Sequence, residues 1–95
     1  MAAYIYGNIE VTDPATYEEY RRQVPAVLAA YGGRFVVRGG ATTLLEGGPV
    51  AGRQVILEFP DMAALQAFYG SPEYRPLIAL RQSASRGTLV AIEGV

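Results

Sequence analysis

The sequence contains no cysteine, no histidine, no tryptophan and no lysine. The lack of cysteine excludes disulfides, thiolate nucleophiles and cysteine-ligated metal sites. The lack of histidine excludes a Ser-His-Asp triad, a histidine general base, a histidine-ligated zinc and a haem with a proximal histidine. Without lysine, no Schiff base to a substrate carbonyl can form. We therefore expect neither a metal site nor a cofactor.

The chain is also short of net charge and of long apolar runs. Its eight basic residues are all arginine, they are scattered, and nine acidic residues bring the net charge to −1. Nucleic-acid binding needs a basic patch, so it is disfavoured. No apolar run approaches the length of a membrane span, and nothing resembles a signal peptide. We expect a cytoplasmic protein that binds neither nucleic acid nor a membrane.

The length and the apolar content of the chain predict one domain over residues 1–95. Of the 95 residues, 51% are hydrophobic, which is slightly above the average for globular proteins. A chain of this size has much surface for its volume. Some apolar surface is therefore expected to remain for a partner.

Alternating apolar and polar residues predict four strands. The second strand is expected to place Phe35 and Val37 on one face and Val36 and Arg38 on the other, with a bulge or bend at the glycine pair that follows. The strands are expected over 3–11, 34–46 (with the part over 42–46 resuming after the glycines), 53–59 and 88–93. A glycine-rich hairpin loop over 47–52 and a turn at Arg86-Gly87 complete this half of the prediction.

Turn and capping residues predict three helices. Asp13 is expected to cap a helix over 14–31, in which Pro25 predicts a kink. A capping box formed by Thr16 and Glu19 is the alternative start. A short helix over 62–69 follows, with Leu65, Phe68 and Tyr69 facing inward. Ser71 is expected to cap the third helix, with Pro72 at its first position.

The third helix carries an arginine on its apolar stripe. Tyr74, Leu77, Ile78 and Arg81 recur at i, i+3, i+4 and i+7. A charge on a core-facing stripe needs a partner or a wet cavity. We interpret Arg81 as pointing between helix and sheet, where it could bind a carboxylate, an enolate or a phosphate. The alternatives are an ion pair with Glu58 or Glu93, or a side chain that extends to water.

The element order β-α-β-β-α-β predicts an α+β, ferredoxin-like fold. Right-handed crossovers place the helices on one face of a four-stranded antiparallel sheet. The other face is then bare, and it is expected to include Tyr4, Tyr6, Val90 and Ile92. Because a large apolar face seldom stays in water, we predict a homodimer with the sheets packed face to face; a monomer is the alternative.

Five segments together resemble a known bacterial family. They are Val11–Pro14, Tyr31–Gly40, Val55–Pro60, Ser71–Arg81 and Glu93–Val95, which appear in order along the whole chain. This combination resembles the family called domain of unknown function 1330. The resemblance implies a dimeric α+β barrel and no assigned reaction.

The wider superfamily of dimeric α+β barrels includes cofactor-free monooxygenases, haem-degrading enzymes and small isomerases, whose ligands usually lie between sheet and helices. The resemblance implies an asparagine among the residues of the monooxygenases, and Asn8 lies on the first strand, where such an asparagine could be. Their tryptophan and histidine are missing here, as is the axial histidine of the haem-degrading relatives. The resemblance therefore supports neither activity.

Further candidate residues have a structural and a functional interpretation. Arg38 is either a second anion-binding group or a solubilising charge on an edge strand. Tyr20, Tyr69 and Tyr74 (with Tyr31) either line a ligand pocket or belong to the core. Glu58 is either a general base with a raised pKa or a partner in a salt bridge.

Two functions remain open from these observations. The first is binding of a small anionic or aromatic molecule in a pocket between helices and sheet, with or without catalysis. The second is a non-catalytic homodimeric assembly module, which predicts a closed interior. The candidate ligand-binding residues are Arg81, Arg38, Tyr74, Tyr20, Tyr69, Glu58 and Asn8.

Overall fold

A computed structural model describes the whole chain, from Met1 to Val95. The elements follow the order β1 (Ala3–Val11), α1 (Pro14–Ala30), β2 (Arg34–Arg38), β3 (Arg53–Phe59), α2 (Met62–Tyr69), α3 (Arg75–Ala84) and β4 (Ser85–Glu93). The four strands form one antiparallel sheet in the order β2-β3-β1-β4. The predicted ferredoxin-like architecture is confirmed. No helix has both the length and the apolar character that crossing a membrane requires.

The central strand β1 divides the sheet into two unlike faces. Its residues alternate between buried and half-buried as far as Ile9. The buried side of β1 and β3 packs against all three helices and forms the core with them. Because alternate side chains of a strand point to the same face, the buried residues of these strands lie on one face, and the helices pack there, as the pattern predicts. The core consists of Ala3, Ile5, Ile9, Tyr17, Tyr20, Val24, Leu28, Val55, Leu57, Phe59, Leu65, Phe68, Tyr74, Leu77 and Ala84.

Helix α1 begins and ends where its capping residues predict. The Asp13 side chain accepts a hydrogen bond from the Thr16 backbone N–H at 3.2 Å. At the other end, Gly32 has a φ of +78°, which an L-residue rarely adopts. The Gly33 N–H then reaches back to the Leu28 carbonyl at 3.0 Å, which closes a Schellman motif.

Pro25 lies inside α1, and the helix continues through it without interruption. Proline has no N–H, so the carbonyl of Arg21 loses its usual helical donor. The Arg38 guanidinium takes that place, since its Nη2 donates to the Arg21 oxygen at 2.7 Å. The Arg38 side chain on β2 therefore supplies the hydrogen-bond donor that Pro25 lacks.

Strand β2 contains a bulge that the sequence interpretation did not predict. Phe35 pairs with Leu57, but the next pair is Val37 with Ile56. One extra residue therefore lies in β2 at this point. The bulge is separate from the bend at Gly39, which confirms the irregularity predicted at the glycine pair.

The bulge changes which β2 side chains share a face. Phe35 and Arg38 both lie on the helix side, and the Arg38 guanidinium carbon is 4.2 Å from the centre of the Phe35 ring. The prediction that Phe35 shares a face with Val37, and Arg38 with Val36, is wrong. A single inserted residue reverses the alternation of every side chain beyond it.

Residues 39–52 form an exposed loop, so the predicted strand over 42–46 is wrong. The Gly39 N–H donates to the Gln54 carbonyl at 2.8 Å. With a φ of +71°, Gly39 then turns the chain away from the sheet. Beyond this point β2 has no neighbour for the chain to pair with, and an extended segment needs one.

Helix α3 begins at Arg75, later than predicted. Ser71 caps a preceding turn instead, because its Oγ accepts from the Tyr74 N–H at 3.1 Å. Pro76 explains the difference. It is tolerated in the first turn of a helix, but a helix that began at Pro72 would place it in the interior.

Helix α3 runs directly into β4, so the predicted turn at Arg86-Gly87 is also wrong. The Ala84 carbonyl accepts hydrogen bonds from the backbone N–H groups of Thr12 (2.8 Å) and Asp13 (3.0 Å). Pairing with β1 can therefore start at Ser85 without a separate turn. The register pairs Tyr4 with Ile92 and Tyr6 with Val90, as expected for the bare face.

Candidate functional site

Arg81 lies on the buried side of α3, as its position in the stripe predicts. Its side chain is 7% exposed, and Tyr74 and Leu77 on the same stripe are also buried. Ile78 is only partly buried. Helix α3 thus buries the Arg81 guanidinium beside the core residues.

The buried guanidinium of Arg81 has no acidic partner. Its Nε and Nη2 atoms are inaccessible to solvent and have no hydrogen-bond acceptor. Glu58 forms an ion pair with Arg34 at 2.7 Å, and Glu93 forms none. Neither alternative expected for Arg81, an ion pair or extension to water, is observed.

Three tyrosines surround the guanidinium. The hydroxyls of Tyr20 and Tyr74 are 2.7 Å apart and buried. The rings of Tyr69 and Tyr74 pack edge to face with centroids 5.8 Å apart. Burial acts to lower the pKa of Arg81, but attraction to Tyr74, Tyr20 and Tyr69 outweighs it and raises the pKa. The guanidinium is therefore charged at physiological pH.

The tyrosine hydroxyls stay protonated. Burial raises the pKa of Tyr20, and the neighbouring Tyr74 raises it further. Burial likewise raises the pKa of Tyr74. Neither hydroxyl can act as a base near neutral pH. The cluster therefore offers hydrogen-bond donors and a positive charge, which is the chemistry of anion binding.

A cavity of about 440 Å³ opens beside this cluster, between α2 and the β1–β4 half of the sheet. Tyr69 lines it and is 39% exposed, so the prediction that Tyr69 packs inward with Leu65 and Phe68 is wrong. Its ring instead joins the cavity to the buried tyrosines. The lining comprises Ile5, Leu65, Gln66, Tyr69, Gly70, Leu89, Val90 and Ala91.

Arg81 itself lines a second cavity of about 240 Å³, together with Ile9, Ser85 and Leu89. Leu89 is common to both cavities. It is half-buried and Ala91 is exposed, although both lie on the helix side of β4. The helices therefore leave the β4 edge of this face open, and the two cavities flank Leu89 along it.

The sequence interpretation missed Leu65, Gln66 and Leu89 as cavity residues. A signal existed on α2, because Leu65 and Tyr69 are four residues apart and so share a helix face. No comparable signal exists for Leu89, since its exposure depends on where the helices lie over the sheet.

Arg38 lies on the helix side of the sheet, at the β2 edge. One of its N–H groups is used to satisfy the Arg21 carbonyl, and its guanidinium stacks on Phe35. Arg38 lines neither of these two cavities, but it lines a third, small cavity of about 20 Å³ together with Tyr20, Tyr74 and Leu89. The structure therefore brings Arg38 to the side of the tyrosine pair where Arg81 does not line the cavity.

Glu58 and Asn8 lie on the opposite face of the sheet from Arg81. Arg34 donates from Nε to Glu58 at 2.8 Å, and Tyr4 donates its hydroxyl at 3.1 Å. These bonds, with Arg34 first, lower the pKa of Glu58. Glu58 is thus an ionised partner in a salt bridge and not a base with a raised pKa. Asn8 pairs with the polar positions Gln54 and Thr88 on the neighbouring strands.

Comparison with known proteins extends these observations. The family model described as Domain of unknown function (DUF1330) matches residues 2–95. None of the curated proteins matches the sequence significantly.

Several solved structures have the same fold. A protein of unknown function from Rhodopseudomonas palustris is 21% identical, with a TM-score of 0.79 over 99% of this chain and 82% of that one. A dimeric ferredoxin-like protein of unknown function from Jannaschia sp. is 17% identical, with a TM-score of 0.68 over 99% and 100%. A cofactor-independent oxygenase from Streptomyces nogalater is 18% identical, with a TM-score of 0.66 over 99% and 93%. At these identities the likeness concerns the fold alone.

Proposed function

This chain belongs to the DUF1330 family, and on that premise we propose that it binds a small anionic molecule between its helices and the β4 half of its sheet. Arg81 is the anchor for the negative charge. The observation that carries the proposal is the buried guanidinium with two donor nitrogens, Nε and Nη2, that have no acceptor.

The energetic argument rests on the cost of that burial. An unpaired buried donor costs about 1–3 kcal/mol, and more when the group is charged. A carboxylate or phosphate on the guanidinium would remove the cost by forming charge-assisted hydrogen bonds. Binding of an anion at Arg81 would thus stabilise the folded chain.

The volume and the lining of the neighbouring cavity indicate the chemistry of the rest of the ligand. Its volume of about 440 Å³ suits a small molecule. Its walls are mostly apolar, with Gln66 and Tyr69 as the polar side chains. We infer an apolar or aromatic body that lies against Tyr69 and a charged group directed toward Arg81. Because burial raises the pKa values of Tyr20 and Tyr74, neither hydroxyl is a base near neutral pH, and a reaction here would take its proton acceptor from the bound molecule.

Calorimetric titration with benzoate tests the proposal, with benzyl alcohol as the uncharged analogue. We expect benzoate to bind wild-type protein and Arg81→Leu to weaken binding at least about tenfold, the effect of losing one charge-assisted hydrogen bond. Arg34→Leu, which removes an exposed arginine on the other face, should change affinity less than about twofold. Equal affinity for benzoate and benzyl alcohol, or unchanged binding by folded Arg81→Leu, would contradict the proposal.

A second proposal concerns the face of the sheet away from the helices, which we infer is covered by a second copy of the chain. Pairing places Tyr6 between Ile56 and Val90, and Tyr4 beside Ile92. Val90 and Ile92 are 42% and 49% exposed. This apolar face suits a self-complementary sheet contact. The ferredoxin-like protein from Jannaschia is described as dimeric, which supports a dimer of this chain.

Light scattering behind a sizing column tests the dimer. A homodimer has twice the 10.2-kDa mass of the chain. A mass near 10.2 kDa at micromolar concentration would overturn this part of the account. If the dimer forms but no small molecule binds, the non-catalytic assembly module is the better description.

A further inference from the structure

Three arginines from different elements converge on the side of the molecule where α1 meets β2 and β3. Arg21, Arg38 and Arg53 all line one small cavity of about 20 Å³ between α1 and the sheet. Arg81 does not line it. Tyr20, Tyr74 and Leu89 do line it, so this arginine cluster adjoins the site of the proposed function but does not include its anchor.

The local backbone explains why the three side chains meet. Pro25 leaves the Arg21 carbonyl free, and Arg38 donates to it at 2.7 Å. Arg53 donates from Nη2 to the Arg38 carbonyl at 3.4 Å. A Cβ at Gly39 would lie only 2.5 Å from that same Nη2, so the glycine makes room for the guanidinium. The contacts hold the cluster together through carbonyl oxygens and not through acids.

The cluster has more positive charge than its surroundings neutralise. Glu18 forms an ion pair with Arg21 at 3.6 Å, and both side chains are largely exposed. Arg38 and Arg53 form no ion pair. Burial, followed by the charges of Arg21 and Arg53, lowers the pKa of Arg38. Three guanidiniums thus share one carboxylate, that of Glu18.

Two buried N–H groups in the cluster have no acceptor. They belong to the Nε atoms of Arg21 and Arg53. The ring of Tyr17 lies 5.5 Å from the Arg53 guanidinium carbon, and Phe35 lies under Arg38. Aromatic rings offset part of the charge, but they accept no strong hydrogen bond. Unused donors together with excess positive charge are the features of an oxyanion site.

We propose that Arg21, Arg38 and Arg53 bind a phosphate group. Three guanidiniums and one carboxylate leave a local charge that matches a phosphate dianion. The cavity of about 20 Å³ holds no more than a water molecule. The phosphate therefore binds at the mouth, where the Arg21 side chain is 42% exposed, and the rest of a phosphorylated molecule projects into solvent. The guanidiniums of Arg21 and Arg53 turn outward on binding, which brings their buried Nε–H groups to the phosphate.

Titration followed by amide NMR tests the site, with inorganic phosphate and glycerol phosphate as the two probes and chloride of equal ionic strength as the baseline. Both probes should shift the amides around Arg21, Arg38 and Arg53. Tighter binding of glycerol phosphate would identify an organic phosphate as the ligand, and equal binding would identify free phosphate. Shifts spread over the surface, or confined to Arg81, would overturn the proposal.

Charge-matched variants separate this site from the proposed function. Arg53→Gln should weaken phosphate binding at least about tenfold, whereas Arg75→Gln, at an exposed arginine on α3, should change it less than about twofold. Arg53→Lys keeps the charge and should bind weakly, because the forked donor is lost. Arg81→Leu should leave phosphate binding unchanged. Equal losses in Arg53→Gln and Arg75→Gln would show non-specific attraction and contradict the site.

Discussion

The two faces of the sheet differ in whether their arginine side chains have acidic partners. On the face away from the helices, Arg34 pairs with Glu58, and Arg86 pairs with Glu10 at 2.7 Å. On the helix side, Arg81 and Arg53 have buried N–H groups without acceptors. The first face can therefore be covered by another protein surface without leaving an unpaired charge, whereas the second has donors available for small anions.

The difference also separates folding from binding. The helix side contains the fully buried core, in which Phe68 packs between Phe59 and Tyr74. The same side holds the unpartnered arginines. We therefore expect the core around Phe68 to stabilise the chain and Arg81 to lower its stability as long as no anion is bound.

The largest expected effect is on the core. Phe68→Ala removes a ring that is 0% exposed, and should lower the free energy of unfolding by about 3–5 kcal/mol. Leu45→Ala, in the loop at 91% exposure, should change it by less than about 0.5 kcal/mol. Urea unfolding followed by circular dichroism measures both. Similar losses in the two variants would remove the contrast between core and surface.

The next effect concerns the dimer. Ile92→Glu places a charge in the proposed contact once from each copy, and should raise the dissociation constant at least 100-fold, about 2.8 kcal/mol. Leu45→Glu adds the same charge to the loop and should leave the dimer intact. Analytical ultracentrifugation measures both constants. An Ile92→Glu variant that stays fully dimeric at nanomolar concentration would place the interface elsewhere.

A smaller effect with an unusual sign is expected at Arg81. Arg81→Leu removes a buried unpaired charge, and should raise the free energy of unfolding without ligand by about 1–3 kcal/mol. Arg34→Leu breaks an exposed ion pair and should lower it by no more than about 1 kcal/mol. Thermal and urea unfolding measure both changes. If Arg81→Leu destabilises the chain as a core truncation does, Arg81 has a structural role.

Hydroxyl deletions on the two faces should differ by less. Tyr20→Phe removes the buried bond to Tyr74 and should cost about 1 kcal/mol. Tyr4→Phe leaves Glu58 with its Arg34 partner, so the cost should be only about 0.3 kcal/mol. The comparison uses the same urea titrations. Equal costs would mean that burial does not strengthen the Tyr20–Tyr74 bond.

The smallest effect is on pH dependence. Arg34 and Tyr4 lower the pKa of Glu58 from its ordinary value of 4.5. The stabilisation by Glu58 is therefore complete above that value and is lost as the pH falls below it. Glu58→Gln should flatten the decrease of melting temperature between about pH 5 and pH 3. An unchanged slope in Glu58→Gln would show that the ion pair does not form in solution.

The sequence was sufficient for the fold because local signals agreed with one another. Asp13 and Gly32 mark the ends of α1, and alternation in β1 separates Tyr4 from Ile5. The errors arose where a distant contact decides local structure. The loop over 39–52 is irregular because no strand is available beside it. The start of α3 is an exception, because its signal, Pro76, is local and was present in the sequence.

The site was predicted only in part for the same reason. The stripe on α3 was enough to identify Arg81 as buried, because a helix repeats every 3.6 residues. The face of the sheet predicted for Arg38 was wrong because a bulge depends on two paired strands and not on one strand alone. The convergence of Arg21 and Arg53 on Arg38 likewise needed the pairing of β2 with β3 and the gap at Pro25.

We propose that the Arg81 guanidinium has no acceptor until an anion binds to it. The NMR signal of its Nε–H group measures directly whether that hydrogen bond forms. Without ligand, this N–H has no acceptor. Added benzoate should shift the Arg81 Nε–H resonance downfield and slow its exchange with water, while the Nε–H of Arg34, already bonded to Glu58, should not move. An Arg81 resonance that stays unchanged at saturating benzoate would contradict the account.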